Sequence, residues 1–363
     1  MKFRCERDIL ADALVTASRA ATSRTSTHPV LAGLRLDVSD DQLTLTGTDL
    51  ELTIRLSVEV GMDTEGSAVV PARLVTDIVR ALPAGTVTVE TNSDDVTISA
   101  GRAQFAVRPF AVDDYPAQAG PDGEPVSIDA ALLMSALRQV VRAASTDEAR
   151  PVLTGVLISA DEEGLWVVAT DGYRLAVRNL GAAGLLTSGQ SVLIPARALS
   201  ELQRLLPAAD HVSVRFGSRS AEFELGTTYL STRLIAGDFP NYRNLLPSSH
   251  PNTLTIGREA LLEALRRVRI LAQDSRVVRL SLGGEVVELT VVAQDVGNAS
   301  EAVDARYEGA EMVVGFNPDF LAAGADALDG DELTVELNDP GKPVVLRGVG
   351  DDDYLYLLMP VRV

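Results

Sequence analysis

Apolar residues recur with a helical period at three places along the chain. At each place they fall three or four positions apart, so they line one face of a helix. A polar residue such as Asp129 precedes the second of these segments, as a helix cap would. The pattern therefore predicts three amphipathic helices. Their apolar stripes are Leu10, Leu14, Ala17 and Ala21; Leu133, Leu137, Val140 and Ala144; and Leu261, Leu265, Val268 and Ala272.

Between the helices the apolar period changes to two. Such alternation is typical of strands with one buried face, and Gly-containing pairs that favour turns separate the strands. The sequence therefore predicts short antiparallel sheets combined with helices, which is an α+β fold and not a doubly wound α/β fold. The alternating segments include Leu52–Val60, Val212–Phe216 and Leu333–Leu337, and the turn pairs include Asp122-Gly123 and Gly283-Gly284.

The predicted elements recur because the sequence repeats itself. The segment that begins PVLAGLRLDV at Pro29 returns as PVLTGVLISA at Pro151, 122 positions later. Two further blocks return in the same order with nearly the same spacing, which indicates two copies of one module. These blocks are SAVVPARLVTDIVRALP from Ser67 with SVLIPARALSELQRLLP from Ser191, and AVDDYP ending at Pro116 with IAGDFP ending at Pro240.

A third, fainter copy follows the first two. EMVVGFNPDFLAAGADAL from Glu311 follows the pattern of the VPAR block, with Asn317 in the place of Pro195. Segments near 118–125 and 247–252 separate the copies and contain turn-forming residues. We therefore predict three modules, each with antiparallel sheets and two helices. Their bounds are 1–119 (N-terminal), 126–247 (central) and 252–363 (C-terminal).

Composition limits the class of protein. The 363 residues, 46% of them hydrophobic, are enough for two or three domains with buried cores. The first residues are charged at Lys2, Arg4, Glu6 and Arg7, unlike a secretory signal, and no stretch reaches the roughly 18 apolar residues of a membrane span. Cys5 is the only cysteine, which excludes an intramolecular disulfide and a cysteine zinc cluster. We expect a soluble, cytoplasmic protein.

The net charge of −19, taken as a sum, argues against nucleic-acid binding, which needs cations facing phosphate. Binding depends on where the charges lie, however, so the sum does not decide the question. Lys2 and Lys342 are the only lysines, and the other cations are arginines, an imbalance typical of genome composition.

Catalytic motifs are lacking from the sequence. His28, His211 and His250 are isolated, and none pairs with Cys5 in a nucleophile motif. The chain contains no Gly-x-Ser-x-Gly elbow, no phosphate-binding Gly-rich loop and no His-Glu-x-x-His. The acidic run at Asp351–Asp353 is typical of a solvated turn. We expect no catalysis, no cofactor and no metal site.

Three sequence blocks carry a resemblance to a known family. ATDGYRLAV at Ala169–Val177, GDFPNYRNLLP at Gly237–Pro247 and the ending YLLMPVRV, together with the threefold repeat, resemble the bacterial beta sliding clamp, the beta subunit of DNA polymerase III. The resemblance covers essentially the whole chain, and the sequence most resembles the actinobacterial members of the family. It implies the DNA-clamp fold, in which two chains close head to tail around duplex DNA with helices facing the lumen and sheets outside. The implied function is that of a processivity factor in DNA replication.

The resemblance also implies a pocket for partner proteins where modules two and three meet. In the family it accepts short peptides rich in Gln, Leu and Phe, from the polymerase alpha subunit, the clamp loader and other partners. A pliable Met, a Pro and apolar branches at a domain junction suit such a slot. Tyr173 stands where some relatives have histidine and Asn244 where some have a cation, which leaves the peptide preference open. The matching residues are Leu153, Thr170, Gly172, Tyr173, Arg174, Leu175, Pro240, Leu245, Asn317, Phe320, Pro343, Met359, Pro360, Val361 and Arg362.

A sliding ring needs phosphate contacts that read no bases and that are weak and salt-sensitive. The resemblance favours Arg24 and Arg150, in the loops before the repeated PVL, as direct DNA contacts. The last predicted helix, Pro318–Ala327, carries Asp319 and Asp326 and no cation, so the pattern of helix arginines is incomplete there. The helix candidates are Arg73, Arg80, Arg138, Arg142, Arg197 and Arg204, with Arg266, Arg267 and Arg269 in the third module.

The resemblance places the dimer seam near the two ends of the chain. Phe105 and Val107 on a strand of module one would meet Ile270 and Leu271, after the first helix of module three, in the other copy. Apolar pairs at the two ends suit a heterologous interface that closes on itself.

Two alternatives change the function without changing the repeat. One is a divergent second clamp copy that confers resistance to a clamp-binding inhibitor, which the altered pocket positions and the acidic last helix favour. The other is an acidic protein-binding scaffold without DNA, which the net charge of −19 favours. Loading on circular DNA separates the scaffold from a clamp, and a second, closer clamp gene in the genome would indicate the divergent copy.

Overall fold

A computed structural model describes residues 1–21, 28–117, 123–181, 184–247, 249–272 and 277–362. Over these residues the chain forms antiparallel sheets and α-helices, so the predicted α+β class is confirmed. The helices are α1 (Arg7–Ser18), α2 (Ala72–Ala81), α3 (Ala130–Val140), α4 (Ala196–Leu205), α5 (Arg258–Val268) and α6 (Pro318–Ala327). The strands are β1 (Lys2–Glu6), β2 (Gly33–Ser39), β3 (Gln42–Thr48), β4 (Leu52–Glu59), β5 (Gly61–Thr64), β6 (Gly66–Pro71), β7 (Thr86–Thr91), β8 (Val96–Ala100), β9 (Ala103–Val107), β10 (Val126–Asp129), β11 (Gly155–Asp161), β12 (Gly164–Thr170), β13 (Arg174–Asn179), β14 (Ser191–Pro195), β15 (His211–Phe216), β16 (Ser220–Leu225), β17 (Thr228–Arg233), β18 (Asn252–Gly257), β19 (Val278–Gly283), β20 (Val286–Ala293), β21 (Gly297–Glu308), β22 (Met312–Phe316), β23 (Glu332–Leu337), β24 (Val344–Gly348) and β25 (Tyr354–Leu358).

The predicted apolar stripes are the buried faces of α1, α3 and α5. The leucines of all three stripes are almost completely buried. The stripes continue past the ends of the helices, since Ala21, Ala144 and Ala272 follow them. The repeated VPAR and IPAR blocks each form a strand end followed directly by a helix, which is α2 in one copy and α4 in the other.

The described chain divides into two compact units. The first unit combines Met1–Ala131 with Glu201–Leu234, and the second combines Leu132–Ser200 with Ile235–Val363. The predicted central module therefore contributes strands to both units.

The first unit contains two antiparallel sheets. One has five strands in the order β5-β1-β7-β8-β9, and the other has eight in the order β10-β15-β16-β17-β4-β3-β2-β6. The larger sheet passes from the first module into the central one where β4 pairs with β17, with Ile54 opposite Leu230. Leu52, Ile54 and Leu56 of β4 are buried and alternate with half-buried residues, as the period of two predicts.

Cys5 lies on β1 in the first unit and is buried. Burial, and to a smaller extent the negative charge of Glu6, raise the pKa of its thiol, because both disfavour the thiolate. The single thiol of the chain is therefore protonated and covered.

The second unit contains one sheet of twelve strands. Its order is β14-β11-β12-β13-β25-β24-β23-β18-β21-β20-β19-β22. The sheet passes from the central module into the third where β13 pairs with β25, with Ala176 opposite Tyr356. This strand pair positions the site described below.

Two buried tyrosines of β25 hold helices against the sheet of the second unit. The Tyr354 hydroxyl donates to the Gln139 carbonyl oxygen on α3 at 3.1 Å, and the Tyr356 hydroxyl donates to the Phe320 carbonyl oxygen on α6 at 2.9 Å. A β-carbon at Gly324 would lie 2.5 Å from the Tyr356 ring, so only glycine lets α6 approach this closely. Burial raises the pKa of Tyr356 to about 12.

Candidate functional site

The turn between β12 and β13 is built around Asp171. Its Oδ1 accepts hydrogen bonds from the backbone N–H groups of Tyr173 (2.8 Å) and Arg174 (3.0 Å), and its Oδ2 accepts one from Arg174 Nε (3.0 Å). The Thr170 hydroxyl donates to the Arg174 carbonyl oxygen at 2.6 Å. Gly172 has a φ of +94°, a conformation that side chains disfavour. The turn presents Tyr173 to solvent, with 62% of its surface exposed.

The C-terminal segment crosses from this turn to β22. The Met359 N–H donates to the Tyr173 carbonyl oxygen at 2.8 Å, and the Val361 N–H donates to the Gly315 carbonyl oxygen at 2.8 Å. Both bonds use backbone atoms, which leaves the side chains of Met359 and Val361 free to face outward. Each is more than one-third exposed, so both add apolar surface at this end of the turn.

Arg174 links the turn to α6. Its guanidinium carbon lies 4.4 Å from the centre of the Phe320 ring, a distance at which a cation and an aromatic face attract. Asn317 caps α6, because its Oδ1 accepts from the N–H groups of Asp319 (2.9 Å) and Phe320 (3.3 Å). The structure thus brings Tyr173, Arg174, Asn317, Phe320 and Met359 together, as the resemblance implies.

Other predicted pocket residues lie beneath this surface. Leu153, Thr170 and Leu175 are buried, and Leu175 packs in a core cluster with Tyr242. They therefore offer little surface to a ligand. The remaining predicted pocket residues are exposed or half-buried, and these are Pro240, Leu245, Pro343, Pro360 and Arg362.

Sequence reasoning did not identify Asp171 as a site residue. Its signal was present, since Asp49 and Asp171 occupy the same place in the repeat, 122 positions apart. Asp before a glycine often accepts hydrogen bonds from the backbone two or three residues later and so fixes a turn. A recurring Asp at a predicted turn therefore indicates a residue that fixes the shape of the turn.

The candidate DNA-binding arginines differ in their surroundings. Arg24 lies outside the described residues. Arg73 on α2 has a side chain that is 93% exposed, and Arg197 is exposed on α4. Arg150 donates from Nε to Asp147 Oδ2 at 2.9 Å. Solvent therefore reaches each described member of this group.

Arg138, in the last turn of α3, and Arg142, two residues after α3, form ion pairs with carboxylates of the third module. Arg138 Nη2 lies 2.5 Å from Asp329 Oδ1, and Arg142 Nη1 lies 2.6 Å from Asp326 Oδ2. Both pairs stay partly exposed to solvent. Sequence reasoning selected these arginines as DNA contacts without identifying their partners.

The predicted seam residues lie on two separate surfaces. Phe105 lies on β9, at the edge of the five-stranded sheet, and is 41% exposed, whereas Val107 on the same strand is buried in its own module. Ile270 follows α5 and is 69% exposed, and Leu271 is half-buried. Among the described pairings, residues 297–303 of β21 pair only with β20. Both β9 and this part of β21 therefore have an open edge that can accept another strand.

The described residues form neither a metal-binding cluster nor a membrane-spanning helix. The described part of the chain holds no group of three or more His, Cys, Asp or Glu side chains that could bind a metal ion. None of its described helices is long and apolar enough to cross a membrane. The chemistry that the surface around Tyr173, Phe320 and Met359 offers is apolar contact, aromatic stacking and backbone hydrogen bonding.

Repeated α+β modules, with antiparallel sheets that pass from one module into the next, are the architecture of the DNA-clamp fold. Residues 1–119, 127–241 and 243–362 match the N-terminal, central and C-terminal domains of the DNA polymerase III beta subunit. The chain belongs to this family, the bacterial beta sliding clamps. The family and fold that the sequence predicts are confirmed.

Relatives from several bacteria match the chain along its whole length. The beta sliding clamps of Synechococcus elongatus and Streptomyces coelicolor are each 35% identical to it, over 100% of both chains. The sliding clamp of Bartonella birtlesii, solved with griselimycin bound, superposes with a TM-score of 0.94 at 30% identity and covers 100% of both chains. The clamp of Bacillus subtilis gives a TM-score of 0.91 at 29% identity, over 100% of this chain and 99% of that one. The equal identity to cyanobacterial and actinobacterial clamps does not single out the actinobacterial type.

Proposed function

We propose that two copies of this chain close head to tail around duplex DNA and tether DNA polymerase III to it. The match of all three domains to the beta subunit family carries this proposal. The ring holds DNA by enclosure, catalyses no reaction itself, and works in the cytoplasm, where bacterial DNA is replicated.

The pocket formed by the β12–β13 turn, the C-terminal segment and α6 binds short peptides of partner proteins. Tyr173, Met359 and Val361 offer exposed apolar surface, and Leu245 is also half exposed. Exposed apolar side chains grouped in this way are typical of a protein-binding site. Methionine adapts its shape to different ligands, which suits a pocket shared by the polymerase alpha subunit, the clamp loader and repair proteins.

The DNA contacts are made by exposed arginines that reach phosphate and read no bases. Arg73, Arg150 and Arg197 are exposed, and Arg24 and Arg150 each lie shortly before a PVL segment, five residues before Pro29 and directly before Pro151. Exposed arginines bind phosphate weakly enough in physiological salt to let the ring move. The net charge of −19 is compatible with this function because enclosure, and not affinity, keeps the protein on DNA.

Loading on nicked circular DNA tests the proposed function. The chain, incubated with a competent clamp loader and ATP, should co-elute with the circle during gel filtration. Cutting the circle once should then release the protein, because a ring slides off a free end. Absence of loading, or retention on the linear product, would contradict the proposal and favour a scaffold or a conventional DNA-binding protein.

The seam is tested by the state of association. Ile270→Ala combined with Leu271→Ala should convert the dimer into monomers in sedimentation, because both positions offer apolar surface at the end of α5. Val349→Ala is a matched control, since Val349 is 55% exposed and lies outside the proposed seam. A dimer that is unchanged in the double variant would refute the assignment.

A further inference from the structure

The repeat reverses its charge at two positions of α6. Aligned through Pro71, Pro195 and Asn317, the positions that hold Arg73 and Arg80 in the first copy, and Arg197 and Arg204 in the second, hold aspartates in the third. The two aspartates are Asp319 and Asp326. Two arginines of one helix have thus become two carboxylates, which weakens any cationic surface that the helices share.

Each reversed position pairs with an arginine that is itself a candidate DNA contact. Asp326 pairs with Arg142 at 2.6 Å, and Asp319 pairs with Arg269 at 3.0 Å. Asp329, just beyond α6, pairs with Arg138 at 2.5 Å. Three carboxylates in or directly after α6 therefore face three arginines of other helical segments.

The pairing between α3 and α6 is fixed by the fold. Tyr354 and Tyr356 hold the two helices on the same strand through the hydrogen bonds described above. Asp329 Oδ2 also accepts from Gln139 Nε2 at 3.2 Å, so this carboxylate contacts two consecutive residues of α3. The fold therefore places the carboxylates next to the arginines when no DNA is bound.

The two α3 pairs are also open to exchange. The side chains of Arg138 and Asp329 are 35% and 57% exposed, and those of Arg142 and Asp326 are 57% and 52% exposed. Exposed ion pairs of this kind favour the paired state by no more than about fivefold each. A DNA phosphate can therefore displace the carboxylate, but it gains less from doing so than it would from an unpaired arginine.

We propose that Asp326 and Asp329 compete with DNA phosphate for Arg142 and Arg138 and thereby weaken the grip of the clamp on DNA. This inference rests on the proposed clamp function. The carboxylates keep the arginines oriented and neutralised until a phosphate comes close. The result is a contact that holds DNA only weakly and therefore offers little resistance to sliding.

The test combines Asp326→Asn with Asp329→Asn and compares the variant with the unaltered chain on labelled short duplex across a salt series. Two arginines freed for phosphate should steepen the slope of log affinity against log salt by about 1.8, since each contact contributes about 0.9. Diffusion of the loaded ring along DNA, tracked optically, should slow by a few-fold. Asp352→Asn with Asp353→Asn is the charge-matched control, because these exposed carboxylates lie in the turn before β25.

A second background shows whether the arginines mediate the effect. In a chain that already carries Arg138→Gln and Arg142→Gln, the same two Asn substitutions should change neither slope nor diffusion. An equal change in that background, or in the Asp352/Asp353 control, would show a general charge effect and overturn the proposal. An unchanged slope and diffusion in the Asp326/Asp329 variant would also overturn it, while normal loading and release of the unaltered ring would leave the clamp function standing.

Discussion

The β4–β17 join in the first unit and the β13–β25 join in the second are built with the same backbone hydrogen bonds. Asp49 Oδ1 accepts from the N–H groups of Glu51 (3.1 Å) and Leu52 (2.8 Å), as Asp171 does in the other turn. The Thr48 hydroxyl donates to the Leu52 carbonyl oxygen at 3.1 Å, as the Thr170 hydroxyl does to the Arg174 carbonyl oxygen. The repeat has therefore preserved the framework of both turns.

The side chains on this shared framework differ in chemistry. The Arg233 N–H donates to the Glu51 carbonyl oxygen at 2.9 Å, at the place where Met359 binds Tyr173 in the other join. Glu51 and Arg233 also line a cavity of about 420 Å³ together with Arg219, several hydroxyl groups and the apolar residues Leu50 and Pro116. At the two matching positions, one join thus has a glutamate and an arginine where the other has a tyrosine and a methionine. Duplication fixes how strands meet, and side chains then decide which join attracts an apolar peptide.

The largest expected effect comes from giving the second join the chemistry of the first. Tyr173→Glu with Met359→Arg should lower the affinity for a fluorescent peptide rich in Gln, Leu and Phe by roughly 1,000-fold, because each lost anchor costs about 2 kcal/mol or more. Fluorescence polarisation measures the affinity. The mirrored change, Glu51→Tyr with Arg233→Met, should leave it unaltered. Binding within threefold of normal in the first variant would show that the peptide binds elsewhere.

The next effect distinguishes Asp171 from Asp49, because only the first is expected to influence peptide binding. Asp171→Ala should lower the free energy of unfolding by about 2–3 kcal/mol, because a buried carboxylate with backbone and arginine partners is lost. It should also weaken peptide binding, since Arg174 loses the partner that holds it over Phe320. Asp49→Ala should reduce stability without changing peptide affinity. Urea titration and fluorescence polarisation give the two readouts, and equal loss of affinity in both variants would contradict the comparison.

Alkaline pH should distinguish Tyr356 from Leu230, which occupies the matching place on β17. The pKa of Tyr356 is raised to about 12 in the folded chain by burial, above the value of about 10 expected when unfolded. Its contribution to stability is therefore complete below pH 10 and is lost as the pH rises toward 12. The complete loss of this contribution amounts to about 2.7 kcal/mol, because one pKa unit corresponds to about 1.4 kcal/mol.

Denaturant titrations at neutral pH and near pH 11 measure this difference. Tyr356→Phe should start about 1 kcal/mol less stable, because its hydrogen bond to Phe320 is missing. It should then lose less stability on going to alkaline pH than the unaltered chain does. Leu230→Val alters a side chain that is buried like Tyr356 but does not titrate. This variant should therefore lose as much stability at alkaline pH as the unaltered chain does. Parallel pH profiles for Tyr356→Phe and the unaltered chain would contradict the assignment.

The smallest effect concerns backbone strain in the two turns. Leu50 has a φ of +77° where Gly172 has +94°. Leu50→Gly should therefore raise the free energy of unfolding by up to about 1 kcal/mol, and Gly172→Ala should lower it by about 1–2 kcal/mol. Thermal and urea denaturation measure both. The same sign of change in the two variants would show that the turns are not equivalent.

Sequence patterns predicted the local elements of this fold well. The apolar stripes became the buried faces of α1, α3 and α5, because apolar residues at helical spacing share one face of a helix and are removed from water together when that face packs. The alternation at Leu52–Val60 became β4. Asp49 and Asp171 occupy the same position in the repeat, and this match indicated that the two turns are equivalent.

Partners distant in sequence could not be predicted in this way. Nothing local to Arg138 indicates a carboxylate 191 positions later, since ion pairs depend on how helices come to lie together. Val107 has the same apolar character as Phe105, and only packing decides that one is buried and the other exposed. Periodicity predicts which face of a helix or strand a residue occupies, whereas the packing of elements distant in sequence decides which residues it contacts.

The covered thiol of Cys5 has a practical consequence for experiments on single molecules. A protonated, inaccessible thiol reacts slowly with maleimides. A cysteine placed at an exposed position would therefore be the one site at which a dye or a crosslinker attaches, with no need to remove the natural residue. Movement on DNA and opening of the seam can then be followed by fluorescence on a chain that differs from the natural one at a single residue.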